Sequence, residues 1–187
     1  MSINRTEIAN LTMEYGGQWG INHTQRLLQL IIMIGEGLDY NSEAVWAAAH
    51  LHDWGGYSRW MEKDVDHAVR SAQVAEAFLT ERGCPQNLME VILEAIKFHH
   101  NCGPDRRIES ILLSDADALD FLGIVGILRD FSKNPKDLRK AYDITRRRRE
   151  KLPGMLILDR SKEIAAERLQ QMDEILARFE QDSFGFF

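Results

Sequence analysis

The chain has 187 residues, a formal net charge of −6 and a pI near 5.5, which argues against a general nucleic-acid binder and leaves room for one sizeable core. Its two cysteines, Cys84 and Cys102, are too few for a disulfide framework and form no Cys-x-x-Cys pair, so a reducing cytoplasm is the expected setting. The opening Met1 to Glu7 lacks the apolar run of a signal peptide, and the strongest apolar stretch, Leu27 to Ile34, is broken by Gln29 and too short to cross a bilayer.

Ile8, Leu11 and Tyr15 fall at helical spacing, which predicts a first helix over Arg5–Tyr15, ended by Gly16-Gly17. Asn22 is placed to cap a second helix running to Gly35 or Gly37, with His23, Leu27, Leu30 and Ile34 on one face. A histidine heading an apolar stripe is either a hydrogen-bonded core residue or a ligand. Arg26, one turn along, is a candidate partner for an acid or a phosphate.

Asn41 or Ser42 then caps a central helix, Ala44 to Trp54, almost wholly small or apolar and ending in His52-Asp53. Burying a carboxylate there is costly unless a cation or charge partner compensates, and a divalent metal suits a nitrogen donor beside an oxygen donor. Adjacent residues on a helix point about 100° apart, so such a metal has to recruit ligands from other elements. Taken alone, the pair reads more readily as a dipole-favoured histidine beside a backbone-bonded aspartate. The remaining histidines and one aspartate segment shift that balance.

Gly55-Gly56 is expected to close the central helix. The loop Tyr57 to Asp64 offers Tyr57, Arg59 and Trp60 either as recognition groups or as a solvated connection with Trp60 in the core. The next helix spans Val65 to Arg82, closed by Gly83, with His67 near an N-terminus whose amides favour anions. From Pro85 a further helix sets Leu88, Ile92, Ala95 or Ile96, and His99 on one face and turns His100 elsewhere.

After an Asn101-Cys102-Gly103-Pro104 turn, a helix over Arg107–Leu119 carries Asp115 and Asp117, with Asp120 just beyond. Asp117 has Leu113 and Phe121 four residues to either side, whereas Asp115 and Asp120 read as surface or capping groups. Between Arg129 and Lys151 ten Lys or Arg face four acids; the run Arg146–Arg149 is expected to be solvated, since four consecutive residues cannot share one helix face. Pro153-Gly154 precedes a last helix, about Leu158–Phe179, with Ile164, Ala165, Leu169, Met172, Ile175 and Leu176 as its stripe. No stretch alternates as a strand does, so the fold class is all-α, read as a single helical domain over residues 1–187.

His23, then His52-Asp53, then Asp117, each on a different helix, jointly resemble the HD-domain superfamily of metal-dependent phosphohydrolases. The likeness extends to His23-Thr24-Gln25-Arg26-Leu27, Ala48-Ala49-His50-Leu51-His52-Asp53, His67 with Ser71-Ala72, Ala95-Ile96-Lys97-Phe98-His99 and Asp115-Ala116-Asp117-Ala118-Leu119-Asp120. It covers a motif core of about residues 20–130, with C-terminal helices over 131–180 beyond it. The resemblance implies an HD-type helical bundle in which His23, His52, Asp53 and Asp117 hold a divalent metal: Mn, Fe, Zn, Co, Ni or Mg, all compatible with mixed nitrogen and oxygen donors. One ion is favoured and two are possible.

Its implied activity is hydrolysis of a phosphorylated small molecule, a nucleotide by preference, through attack of metal-activated water on phosphorus. Asp53 would accept the proton, and Arg26, His67 and His99 would bind the phosphate, His67 and His99 holding a second metal in dinuclear members. Trp54-Gly55-Gly56-Tyr57-Ser58 stands where guanosine-tetraphosphate hydrolases carry Glu-Asp, and the Gly-Tyr-Pro motif of cyclic-dinucleotide phosphodiesterases is absent from the sequence; both substrate groups are disfavoured. The alternative is a metal-stabilised sensory or partner-binding domain without turnover, and an oxygenase on the same scaffold is a third reading. No nucleic acid or membrane is expected as partner.

Overall fold

A computed structural model describes residues 3–100 and 103–187. Asn101 and Cys102, half of the expected turn, lie outside the described residues. The described residues form helices α1 Arg5–Ile34, α2 Ser42–Leu51, α3 His67–Glu81, α4 Gln86–Lys97, α5 Ile108–Asp120, α6 Gly123–Lys133, α7 Leu138–Lys151 and α8 Asp159–Asp182, with no strand among them. Short 3₁₀ turns lie at Trp54–Gly56 and Leu152–Met155. The all-α expectation holds. Contacts group the chain into two compact units, Met1–Ala116 and Asp117–Phe187.

In the first unit α2 is the inner element, because the run Ala47 to His52 is buried throughout and small side chains let neighbours approach. α1 and α4 pack against it, and α3 packs on α4 and on the Trp54–Gly56 turn. Asn41 caps α2 through its side chain, which accepts from the Ala44 amide, as expected. The last carbonyls of a helix need partners from outside it. Here two threonines of α1 reach them: the Thr24 hydroxyl is shared between Gly20 O at 3.1 Å and Ala49 O at 3.3 Å, and that of Thr12 between Ile8 O at 3.0 Å and His50 O at 3.3 Å.

Two helix boundaries differ from the sequence expectation. The helical run α1 is broken at Gly17, whose non-helical backbone (φ 61°, ψ −165°) suits glycine, as the Gly16-Gly17 pair predicts; the difference is that helix resumes directly after it, so Asn22 lies inside a helical turn rather than capping one. α2 stops at Leu51 with His52 as its C-cap, and Gly55-Gly56 belongs to the following 3₁₀ turn. Gly55 is required by close approach: a Cβ there would stand 2.4 Å from Ser71 N and 2.6 Å from His67 O, both α3 backbone.

In the second unit α6 packs on α7 and α8, with Ala165, Met172 and Leu176 of the expected α8 stripe buried. Asp120 and Asp130 are buried and ion-paired, to Arg129 and Arg148 respectively. Asp115, in the first unit, is also buried. The surface reading of Asp115 and Asp120 is therefore wrong for both. The arginine run is only partly a solvated face, since Arg148 turns inward to Asp130 and Arg149 pairs with Asp173.

Candidate metal centre

The α2 end presents two histidines with opposite fates. Both donate through Nδ1 to a backbone carbonyl, His50 to Trp46 O at 3.0 Å and His52 to Ala49 O at 2.9 Å. A carbonyl only accepts, so in the neutral ring Nε2 is left with its lone pair. The His50 ring lies against Trp46, with centroids 3.9 Å apart, and burial pushes its pKa down to about 4. That makes His50 a neutral core residue. His52, 1% exposed, directs Nε2 instead to within 3.5 Å of Asp53 Oδ2 without a hydrogen bond.

His23 comes from the buried stripe of α1, where Leu27, Leu30 and Ile34 follow it on the same face. Its Nε2 lies 3.8 Å from the same Asp53 oxygen. The donor atoms of His23, His52 and Asp53 all fall within 4.8 Å of one another. A buried, unbonded imidazole nitrogen with its tautomer fixed from behind, facing a carboxylate and a second imidazole, fits a divalent cation. The Asp53 side chain is 33% exposed, so solvent and solutes reach it.

The other Asp53 oxygen faces a second group. Oδ1 lies 4.0 Å from His67 Nε2, and the donor atoms of His67, His99 and His100 also cluster within 4.8 Å. His67 opens α3, which Asp66 caps by accepting from the Ala68 and Val69 amides. His99 is buried and tethered through Nδ1 to Ile96 O at 2.6 Å. His100, expected to turn away, instead brings Nε2 to 2.8 Å from His67 Nε2. The helix-face argument missed it because α4 ends at Lys97, and the turn beyond follows another periodicity.

Among the other candidates, Arg26 lies half-buried on α1 one turn beyond His23. Asp117 is buried on α5 and belongs to the second unit. Trp60 stacks on Trp54 at 4.5 Å, and its carbonyl accepts from Arg70 Nε, so its ring belongs to the packing. Arg59 reaches over the Tyr15 ring. Tyr57 fills a notch at Gly16 and Gly20, where any Cβ would overlap its ring. Burial raises the Tyr57 phenol pKa, and the Asp53 charge adds to the rise.

An HD domain match over residues 20–122 spans both histidine groups. The chain belongs to the HD domain family. Selenomethionine YpgQ of Bacillus subtilis has a similar fold, at 23% identity over 95% of both chains and a TM-score of 0.75. YpgQ in complex with ADP matches at 24% identity over 96% of this chain and 97% of that one, TM-score 0.73. An HD-superfamily hydrolase from Bacillus thuringiensis matches at 19% over 95% of both, TM-score 0.72. No curated protein matches significantly. The fold is thus shared with HD-superfamily hydrolases, and the His/Asp groups are compatible with the divalent metals that HD domains bind. No helix among the described residues is long and apolar enough to cross a membrane.

Proposed function

We propose that the protein is a cytoplasmic, metal-dependent phosphohydrolase acting on a phosphorylated small molecule, a nucleotide by preference. The observation that carries this reading is the Asp53 carboxylate, partly exposed, with one oxygen toward His23 and His52 and the other toward His67. His23, His52 and Asp53 would hold the first cation, with Asp117 as fourth ligand on the strength of the Asp115–Asp120 segment's place in the family order. A divalent cation supplies Lewis acidity toward water and a phosphoryl oxygen. Asp53 accepts the water proton at its carboxylate, and Arg26 pairs with phosphate oxygens. The ADP complex of YpgQ supports a nucleotide substrate, and the near-complete mutual coverage with YpgQ supports treating residues 1–187 as one domain.

His67 and His99 either bind the phosphate or hold a second cation, and the position of His100 favours the second cation. Three imidazoles and Asp53 Oδ1 form a donor set in which Asp53 serves both sides. The test is metal analysis joined to a phosphate-release screen over nucleotides and sugar phosphates. The expected result is metal that survives dialysis, metal-dependent release from at least one nucleotide, and loss of both metal and thermal stability in His52→Ala. Stoichiometric metal in dialysed His52→Ala overturns the ligand assignment. Bound metal without release from any member of the panel turns the reading to a sensory domain.

A further inference from the structure

The pair His99-His100 stands in the turn beyond the end of α4, which closes at Lys97. Besides the His99 tether to Ile96 O, a side chain seven residues away from His99 holds this turn. Arg106 donates through Nη1 to Phe98 O at 2.7 Å, the carbonyl directly before the pair, and through Nε to Gly103 O at 2.7 Å. The same guanidinium reaches Ser110 Oγ at 3.3 Å and Ser114 Oγ at 3.2 Å, on consecutive turns of α5. Both serines are buried, which gives the guanidinium a fixed seat. Beside it, the Arg107 amide donates to Glu94 Oε1 at 2.8 Å while the Arg107 guanidinium pairs with Glu94, fastening the start of α5 to the last turns of α4.

We infer that Arg106 is a positioning residue for the His67–His99–His100 group: it seats the Phe98 carbonyl against α5 and thereby sets the backbone from which His99 and His100 reach His67. The inference deepens the proposed function and rests on it for the group's role, though the geometry of the pair stands by itself. Only a guanidinium offers several N–H donors in a rigid plane wide enough for these acceptors, and a lysine ammonium cannot span them. Supporting groups of this kind, behind the ligating atoms, typically change metal affinity by about tenfold or more when removed. His23, His52 and Asp53 stand on α1 and at the end of α2, outside the turn whose Phe98 carbonyl Arg106 bonds.

The experiment compares wild type, Arg106→Gln and Arg106→Lys, each folded by thermal melting, through the histidine ring signals of ¹⁵N-labelled metal-free protein. The expected result is that signals of His67, His99 and His100, assigned from single alanine variants, move in both Arg106 variants while that of His23 stays; His52, whose ring lies 5.1 Å from that of His99, follows by a smaller shift. A cobalt titration of the same proteins adds a second readout: about tenfold weaker binding, or none, at the three-histidine group, with a smaller loss at His23–His52–Asp53, which shares Asp53 with it. Ring signals identical to wild type overturn the inference. So does global unfolding of both variants, which makes Arg106 a general stability residue. Wild type that binds no cobalt refutes the metal reading alone, and the ring signals still decide the role of Arg106.

Discussion

His50 and His52 are two residues apart on one helix and do opposite things. Residues two apart point to different sides of a helix, so His50 meets Trp46 and is stripped of charge by burial, whereas His52 meets Asp53. The second group depends on His100, whose Nε2 lies 2.8 Å from that of His67. Two ring nitrogens that close require one to donate and one to accept, unless a cation takes both lone pairs. We therefore expect His67→Ala, His99→Ala and His100→Ala each to lower metal content from two ions per chain to one. Unchanged metal with a raised KM or reduced turnover would return His67 and His99 to a phosphate-binding role.

At the scale of elements, the Trp54–Gly56 turn is what brings Asp53 and the first turn of α3 together. A Cβ on Gly55 would run into α3 backbone at His67, Arg70 and Ser71, and backbone cannot swing away as a flexible side chain does. Gly55→Ala should cost about 1–3 kcal/mol or more through overpacking, read as a lower Tm. Gly56→Ala is the control, because its Cβ would meet nothing closer than His67 Cβ at 3.9 Å.

The α6–α7 pairing rests on a different device. Asp130 is 2% exposed and is held by Arg148 and by the Thr145 hydroxyl at 3.2 Å. Arg148→Ala leaves that carboxylate buried with less compensation, a loss of about 3 kcal/mol at neutral pH. Burial raises the Asp130 pKa above its ordinary value even with Arg148 opposing the rise. Without Arg148 the folded-state value climbs further, so the penalty is full above that value and fades as pH falls and the group protonates. A stability deficit that does not shrink between neutral and mildly acidic pH would contradict this account.

For the molecule as a whole, the net charge of −6 opposes a polyanionic partner. The basic run does not reverse this, because Arg146, Arg148 and Arg149 are engaged by Glu150, Asp130 and Asp173. Phosphate-backbone binding would show a steep fall of affinity with salt. We expect none with an oligonucleotide at moderate ionic strength, by anisotropy titration. Tight, salt-sensitive binding that disappears when Arg146 to Arg149 are replaced would overturn the expectation.

Helical periodicity and the order of a few polar residues were enough to place His23 at the head of a buried stripe, to mark His52-Asp53 as the end of an inner helix, and to assign the all-α class. Those signals are local: burial of an apolar face repeats every turn, and a polar residue set into it stands out. His100, Gly55 and Arg106 carry no such mark. His100 lies past the last helical turn of α4, where periodicity no longer tells direction, and Gly55 looks like a helix terminator until α3 is seen against it. Asp115 and Asp120 look like solvated acids because charged residues usually are, and the Arg129 that pairs with Asp120 stands on the next helix. Direction after a helix end, close backbone approach and ion pairing between elements are set by what packs together in three dimensions, so only the tertiary structure decided them.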